Sequence, residues 1–165
     1  MNKREIYELL QQKEIFCEIT EHSAVYTMEE AAALNLPCPQ AEAKNLFLRD
    51  NRKENYYLLT VKGEKRVNLN AFRKKHGTRA LTFAAAEELE RFLGLIPGAV
   101  TPLGVLNDAD SVVRIFLDRD FLQGDGRIGV HPNDNTATVL LKTEDLIRLL
   151  REAGKEVILT EFEES

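Results

Sequence analysis

The sequence has few of the residues that mark secreted, membrane-spanning or metal-binding proteins. Its two cysteines, Cys17 and Cys38, show no CxxC spacing and have no pair of histidines near them, so they indicate neither a disulfide framework nor a zinc site. No apolar run approaches the roughly 18 residues of a membrane-spanning helix, and the first residues lack the apolar core of a secretory signal. We therefore expect a cytoplasmic protein with no bound metal.

Glycine and proline are also scarce, since the chain has 9 Gly and 5 Pro among 165 residues, and it has no Trp. With 44% hydrophobic and 30% charged residues, the composition is that of a globular protein, neither disordered nor collagenous. This length suits one ordinary domain. We expect a single domain over residues 1–165.

The charge is distributed unevenly along the chain. Between Lys44 and Arg79, eleven basic and three acidic residues give a charge of +8, which leaves −13 for the rest of a chain whose net charge is −5. Most segments of this kind are simply solvated faces. An excess of this size also keeps an anionic polymer, such as a nucleic acid, among the candidate partners.

Hydrophobic periodicity and turn residues predict a mixture of helices and strands. The predicted helices cover 3–13, the run from Thr27 to the residue before Pro37, a basic segment ending at Gly77, 84–93, and 144–153 with Thr143 as its cap. The predicted strands cover 15–20, 44–49, 56–61, 66–69, 112–117, 138–141 and 156–160. Strands outnumber helices without strict alternation, which favours an α+β fold with a mixed sheet.

A glycine pattern in GDGRIG matches the GxGxxG spacing of dinucleotide-binding loops through Gly124, Gly126 and Gly129. That pattern binds a pyrophosphate only where a helix begins directly after it. Here His131 and Pro132 follow, and they predict a turn. We therefore expect no nucleotide cofactor.

A stiff apolar loop, GLIPGAVTPLGVLND, covers residues 94–108 and contains two prolines and three glycines. It is equally well explained as a rigid connector. The functional alternative is a wall whose main-chain amides bind a sugar hydroxyl or a carbonyl oxygen. Its residues would be Gly98, Ala99, Val100, Thr101 and Pro102.

Lys44 and Asn45 open an otherwise apolar strand, and His131 lies in a turn rich in Pro and Asn. Such a lysine is usually the solvated end of a strand, and such a histidine is usually structural. In a pocket, however, the ammonium would stabilise negative charge on a substrate carbonyl, and the imidazole would donate a hydrogen bond or order a water. His22 and His76 are interpreted as ordinary surface residues. No Ser-His-Asp set, carboxylate pair or cysteine nucleophile is evident, so hydrolysis would use water.

Several stretches together resemble a known family. They are EHSAVYTMEEA, KNLFLRD followed by NYYLLTV, FAAAEELERFLGLIPGAVTPLGVLND, VVRIFLD and GVHPNDNTATVLL. In this order they resemble the free-standing prolyl-tRNA editing proteins (YbaK/ProX-like), which are related to the editing domain of bacterial prolyl-tRNA synthetase. LFLRD, YYLL and PGAVTPLGVLND resemble the alanyl-tRNA(Pro) deacylase branch most.

The resemblance implies a curved, barrel-like mixed sheet flanked by helices, and hydrolysis of mischarged alanyl-tRNA(Pro) without a cofactor. It implies catalytic roles for Lys44, Asn45 and His131, with the Lys44 ammonium within hydrogen-bonding range of the glycine-proline wall. The substrate-binding residues it implies are Gly98, Ala99, Val100, Thr101, Pro102, Arg49 and Asn135. The acceptor end of tRNA is the expected partner, with prolyl-tRNA synthetase or elongation factor as further candidates. A cysteinyl- or seryl-tRNA deacylase of the same fold and a non-catalytic tRNA-binding module remain the alternatives.

Overall fold

The computed structural model describes residues 1–24, 26–27, 29–30, 33–34, 36–63 and 65–165. The helices are α1 (Lys3–Gln12), α2 (Leu69–His76), α3 (Ala86–Leu93) and α4 (Thr143–Glu152). The strands are β1 (Cys17–Glu21), β2 (Ala43–Asp50), β3 (Tyr56–Lys62), β4 (Leu81–Phe83), β5 (Val113–Asp118), β6 (Arg127–Val130), β7 (Ala137–Lys142) and β8 (Val157–Thr160). Short 3-10 turns cover Pro39–Ala41, Pro102–Asn107 and Arg119–Leu122.

The strands form two hydrogen-bonded sheets. A five-stranded mixed sheet has the order β4-β2-β3-β5-β8, in which β2 and β3 form an antiparallel hairpin and β3, β5 and β8 run parallel. A three-stranded antiparallel sheet has the order β1-β7-β6. One parallel bridge, between Glu42 and Gly129, joins the start of β2 to β6. The predicted α+β class with a mixed sheet is confirmed, and hydrogen bonding divides the strands into two sheets at this bridge.

Both faces of the five-stranded sheet are covered, because successive side chains of a strand point to opposite faces. Phe47 and Leu58 pack into a core cluster that also contains the apolar residues of α1, α3 and α4. Leu48 and Leu59 point the other way, into a smaller cluster built around Phe72 of α2. Burying each such side chain stabilises the fold by about 1.5–3 kcal/mol. The hairpin β2-β3 is therefore held rigidly at the centre of the molecule.

Most predicted elements are confirmed at their capping residues. Asn2 caps α1 by accepting a hydrogen bond from Glu5 N, and the left-handed residues Gly77 and Gly94 end α2 and α3. The predicted helix between Thr27 and Pro37 lies partly outside the described residues, which do not include 28, 31, 32 and 35. Its N-terminal cap is described, since Glu30 N donates to Thr27 Oγ1 at 3.1 Å.

Two local predictions are wrong. Residues 66–69 do not form a strand, because Val67 makes only a single bridge with Glu164 and α2 begins at Leu69. Thr143 does not cap its helix, because it is the first residue of α4 and its hydroxyl donates to Phe121 O at 2.8 Å. Strand β6, which contains Gly129, was not predicted, and the predicted turn follows that strand at residues 132–136. No helix therefore begins directly after these glycines, as a pyrophosphate-binding loop would require.

Strand β4 was also not predicted. It has only three residues, at the edge of the large sheet, so it is too short for the alternation over four to eight residues that predicts a strand. Within the described part of the chain, no helix combines the length and apolar character needed to cross a membrane.

Candidate active site

A cleft of about 270 Å³ opens where the first residues of β2 meet β6, β7 and the loop before the Pro102 turn. This volume lies just under the range of about 300–1,000 Å³ that is usual for drug-sized ligands. The residues that line it are Thr20, Tyr26, Thr27, Leu36, Pro37, Cys38, Ala41, Glu42, Ala43, Lys44, Asn45, Gly98, Val100, Gly129, Val130, His131, Thr138 and Leu140. The structure therefore brings Lys44, Asn45, Gly98, Val100 and His131 to one cavity.

Lys44 is half-buried on β2, and its side chain is ordered by a hydrogen bond. Its Nζ donates to the main-chain oxygen of Lys65. No carboxylate among the described residues forms an ion pair with it. Because a carbonyl oxygen is neutral, this contact orients the ammonium without cancelling its charge.

Asn45 ties the strand to the glycine-proline loop. Its Oδ1 accepts a hydrogen bond from Thr60 Oγ1 at 2.8 Å, and its Nδ2 donates to Val100 O at 3.2 Å. Thr60 is fully buried. The expectation that the Lys44 ammonium itself meets this loop is therefore corrected, since Asn45 makes that contact and Lys44 bonds to Lys65.

Gly98 and Val100 are the two residues of the 98–102 segment that face the cleft. Gly98 has a φ of +91°, and a Cβ at this position would lie 2.6 Å from Cδ1 of Tyr26. Only glycine fits there without strain, because L side chains disfavour this backbone region and the Tyr26 ring occupies the space.

Ala99, Thr101 and Pro102 lie buried beneath that wall and do not line the cleft. The Thr101 hydroxyl donates to His131 O at 2.7 Å and accepts from Leu103 N at 3.3 Å. Thr101 therefore holds the loop against the histidine turn.

His131 lines the opposite side of the cleft. Its Nδ1 contacts Ala137 O at 3.0 Å, and because a carbonyl oxygen can only accept, the ring proton lies on Nδ1. Burial lowers the pKa of His131, with a further small decrease from His22. The imidazole is therefore neutral at pH 7, and Nε2 has a lone pair that can accept a hydrogen bond.

The two other histidines are not the ordinary surface residues that were predicted. The His22 ring lies 6.4 Å from the ring of His131, and its Nε2 lies 2.9 Å from the hydroxyl of Thr138, a cleft residue. His76 packs 4.6 Å from the ring of Phe72 and contacts Thr160 Oγ1 at 3.2 Å. Burial lowers the pKa of His76.

Arg49 and Asn135 are not brought to the cleft. Arg49 lies five residues beyond Lys44 on β2, about 17 Å along the strand, and its Nε pairs with Glu88 Oε1 at 3.1 Å. Asn135 is 6% exposed in the turn before β7. A contact between either residue and a ligand stays a prediction.

Sequence reasoning missed Thr138 and Tyr26 as cleft residues. Thr138 alternates with the buried Ala137 and Val139 along β7, and this period of two signals a polar side chain on the other face. Tyr26 is 62% exposed, and no local pattern relates it to Gly98. Within the described residues, no group of three or more His, Cys, Asp or Glu side chains is placed to hold a metal ion.

Comparison with known proteins gives three findings from sequence. The family model of the aminoacyl-tRNA editing domain matches residues 22–149, a range that contains Lys44, Gly98 and His131. The prolyl-tRNA editing protein ProX of Acetoanaerobium sticklandii is 36% identical over 152 residues, which cover 92% of each chain. The prolyl-tRNA synthetase associated domain-containing protein 1 of Mus musculus is 35% identical over 149 residues, or 88% of each chain.

A solved structure described as a candidate trans-editing enzyme for prolyl tRNA synthetase superposes with a TM-score of 0.72. The match covers 99% of this chain and 97% of that one, at 23% sequence identity. At this identity the likeness shows a shared fold. The proline--tRNA ligase of Kosmotoga olearia is 28% identical over 123 residues, which are 73% of this chain and 21% of the ligase.

Proposed function

Because this chain belongs to the aminoacyl-tRNA editing family, we propose that it is a deacylase that hydrolyses the ester bond of a mischarged aminoacyl-tRNA. One observation carries the proposal. The Lys44 ammonium, paired with no described carboxylate, lies beside a cleft of about 270 Å³ that it shares with His131 and Gly98. A positive charge held in a partly desolvated cleft is suited to stabilising an oxyanion.

The proposed substrate is alanyl-tRNA(Pro). The stretches LFLRD, YYLL and PGAVTPLGVLND resemble the alanyl branch of the family, and the ProX relative is a prolyl-tRNA editing protein by name. A synthetase site built for proline cannot strongly reject alanine, because missing methylenes are worth only about 1–3 kcal/mol. A second, smaller site that admits alanine and excludes proline corrects the error, and we propose that the cleft is this second site.

In the proposed reaction, water attacks the ester carbonyl carbon and the carbonyl oxygen becomes an oxyanion. The Lys44 ammonium has three donors, of which one is used by Lys65 O, so two remain for that oxygen. When the tetrahedral intermediate collapses, the bond to the ribose oxygen breaks and that oxygen takes the proton that the attacking water gives up. The products are free tRNA and alanine.

His131 is proposed to order the attacking water. Its Nδ1 proton is engaged by Ala137 O, so Nε2 accepts a hydrogen bond from the water. The main-chain oxygen of Ala137 holds the ring of His131, and the Thr101 hydroxyl holds its main chain. This fixes the imidazole at the wall of the cleft.

The terminal adenosine is proposed to bind along the Gly98 loop. The main-chain amides of Gly98 and Val100 donate to no residue in the described ranges, whereas Ala99 N donates to Ile96 O at 3.1 Å. Two unengaged amides beside a cleft can donate to ribose hydroxyls.

The remainder of the tRNA is proposed to meet the basic segment. Six of its exposed cations form no ion pair with any residue that the structure describes: Arg52, Lys53, Arg66, Arg73, Lys74 and Lys75. Phosphate contacts of this kind release counterions, so binding weakens as salt rises. The same surface also supports the runner-up function, a tRNA-binding module without catalysis.

Amino-acid release from a panel of charged tRNAs tests the proposal. We expect the protein to release alanine from alanyl-tRNA(Pro) well above the spontaneous rate and to leave prolyl-tRNA(Pro) intact. Preferred release from cysteinyl- or seryl-tRNA would assign the chain to another branch. Tight tRNA binding with no release from any member would identify a binding module.

A further inference from the structure

We propose that Lys65 is a positioning residue for the Lys44 ammonium and that Asp118 and Asp120 hold it in place. The inference rests on the proposed function, because it concerns the group proposed to stabilise the oxyanion. It identifies a buried ion-pair cluster, Lys65 with Asp118 and Asp120, that lies outside the residues lining the cleft.

The contact that orients Lys44 comes from the main chain of Lys65. The segment after β3 returns toward β2, where Gly63 N donates to Glu42 O at 2.9 Å, and two residues later the oxygen of Lys65 accepts from Lys44 Nζ. A main-chain oxygen has no rotamers of its own. Its position therefore depends on what fixes residue 65.

The side chain of Lys65 provides that fixation. Its Nζ lies 3.0 Å from Asp118 Oδ2 and also bonds to an oxygen of Asp120. The side chains of Lys65, Asp118 and Asp120 are 19%, 0% and 29% exposed. Asp118 is anchored in turn, because Oδ2 accepts from Lys62 N and Oδ1 accepts from Asp120 N, both at 3.0 Å. The cluster joins the ends of β3 and β5 to the segment that carries the Lys65 oxygen.

The arrangement also leaves the charge of Lys44 uncancelled. Lys65 pairs with the two nearby carboxylates through its side chain and offers Lys44 only a neutral oxygen. Burial lowers the pKa of Lys65, but its hydrogen bonds with Asp120 and Asp118 outweigh burial and raise it. Lys65 thus remains charged, and the cluster stays closed throughout the physiological pH range.

The test substitution is Lys65→Met, which keeps the aliphatic stem and removes the ammonium. We expect kcat for alanyl-tRNA(Pro) to fall about 10- to 100-fold with little change in KM, because small displacements of a catalytic group have effects of this size. Lys65→Arg should restore most of kcat, since a guanidinium can bridge the same two carboxylates.

The matched control is Lys62→Met. Lys62 is the last residue of β3, three positions before Lys65, and carries the same charge. Among the described residues its Nζ bonds only to Asp120 O, at 3.3 Å, and the Met variant keeps its main-chain contact with Asp118. If Lys65 only attracted tRNA, both Met variants would raise KM alike and leave kcat alone, and that result would overturn the proposal. If Lys65→Met fails to fold, Asp120→Asn replaces it, and an unchanged kcat in that variant would likewise overturn the proposal.

A second measurement needs no catalysis. The rate at which an amine-reactive reagent acylates Lys44, followed by peptide mass spectrometry on the folded protein, reports how firmly Nζ is held. We expect Lys65→Met to raise this rate several-fold and Lys62→Met to leave it unchanged, and equal rates would contradict the proposal. If the unsubstituted protein releases no amino acid, the proposed function fails, but this reactivity still decides whether Lys65 positions Lys44.

Discussion

At the start of strand β2 the Lys44 ammonium faces a cleft and bonds to a neutral carbonyl oxygen, whereas near its end the Arg49 guanidinium faces the carboxylate of Glu88. Both cations lie on the same strand and both are partly buried. At the Lys44 end, the carboxylates of Asp118 and Asp120 pair with Lys65. A buried positive charge is available to a ligand only where the fold provides no carboxylate to pair with it.

At the Arg49 end of β2, the guanidinium is already paired with the Glu88 carboxylate of the protein itself. Burial raises the pKa of Glu88, but hydrogen bonds from Ala85 N and Tyr56 and the charge of Arg49 outweigh it and lower the pKa. Burial and the same carboxylate raise the pKa of Tyr56 to about 12. The Arg49 end therefore stabilises the fold. We expect substitutions there to change the free energy of unfolding, and substitutions at the Lys44 end to change the deacylation rate.

The largest effect is expected for Lys44→Met. Removing one preorganised donor from an oxyanion site lowers kcat by about 100- to 1,000-fold. The affinity for uncharged tRNA, measured by filter binding, should stay the same because most phosphate contacts lie elsewhere. Lys142→Met, at an exposed lysine outside the cleft, is the control, and equal losses in both variants would remove Lys44 from the mechanism.

Gly98→Ala should lower kcat/KM by about 10- to 100-fold. The new methyl group meets the Tyr26 ring at 2.6 Å, and a φ of +91° strains any L residue. Gly124→Ala is the matched control, because Gly124 also has a positive φ but its Cβ would meet nothing within 4 Å. A similar loss of activity in both variants would show that the Gly98 effect is strain alone.

Glu88→Gln should affect stability and leave the deacylation rate unchanged. Loss of hydrogen bonds to a charged, largely buried carboxylate lowers the free energy of unfolding by about 1–3 kcal/mol, measured by urea denaturation. Glu87→Gln, at an exposed residue in the same helical turn, should change it by less than about 0.5 kcal/mol. Equal changes in the free energy of unfolding for Glu88→Gln and Glu87→Gln would mean that the ion pair between Arg49 and Glu88 does not stabilise the fold.

The smallest effect is expected from mild acid. The pKa values of His131 and His76 are lowered by burial, so between those values and 6.5 the unfolded chain binds more protons than the folded one. The free energy of unfolding should therefore fall as the pH decreases below about 6.5, before the carboxylates protonate. Replacing both histidines with Asn should make the free energy of unfolding less dependent on pH in this range. An unchanged pH dependence would contradict the assignment of the effect to these two histidines.

The sequence predicted those parts of the site that depend on local chemistry. Lys44 and Asn45 open an apolar strand, and Gly98 lies in a stiff loop, so their strand and loop settings could be predicted from neighbours in the chain. Helix ends at Gly77 and Gly94 were predicted for the same reason, since glycine alone favours a left-handed residue there.

The parts that were missed depend on contacts between distant residues. Lys65 and Asp118 are 53 residues apart, and Arg49 and Glu88 are 39 apart, so no periodicity relates them. Strand β6 was missed because glycines, which weaken strand propensity, surround its short apolar run. Hydrogen bonding to β7 stabilises β6 as a strand despite the low strand propensity of its own sequence.

The central claim is that the Lys44 ammonium meets the ester carbonyl of an alanyl group in the cleft beside Gly98 and His131. A crystal structure with an amide analogue of 3′-alanyladenosine, which cannot be hydrolysed, tests it most directly. We expect Lys44 Nζ to lie within about 3.2 Å of the analogue's carbonyl oxygen while still donating to Lys65 O. An analogue bound outside the cleft, or one whose carbonyl faces away from Lys44, would contradict the account.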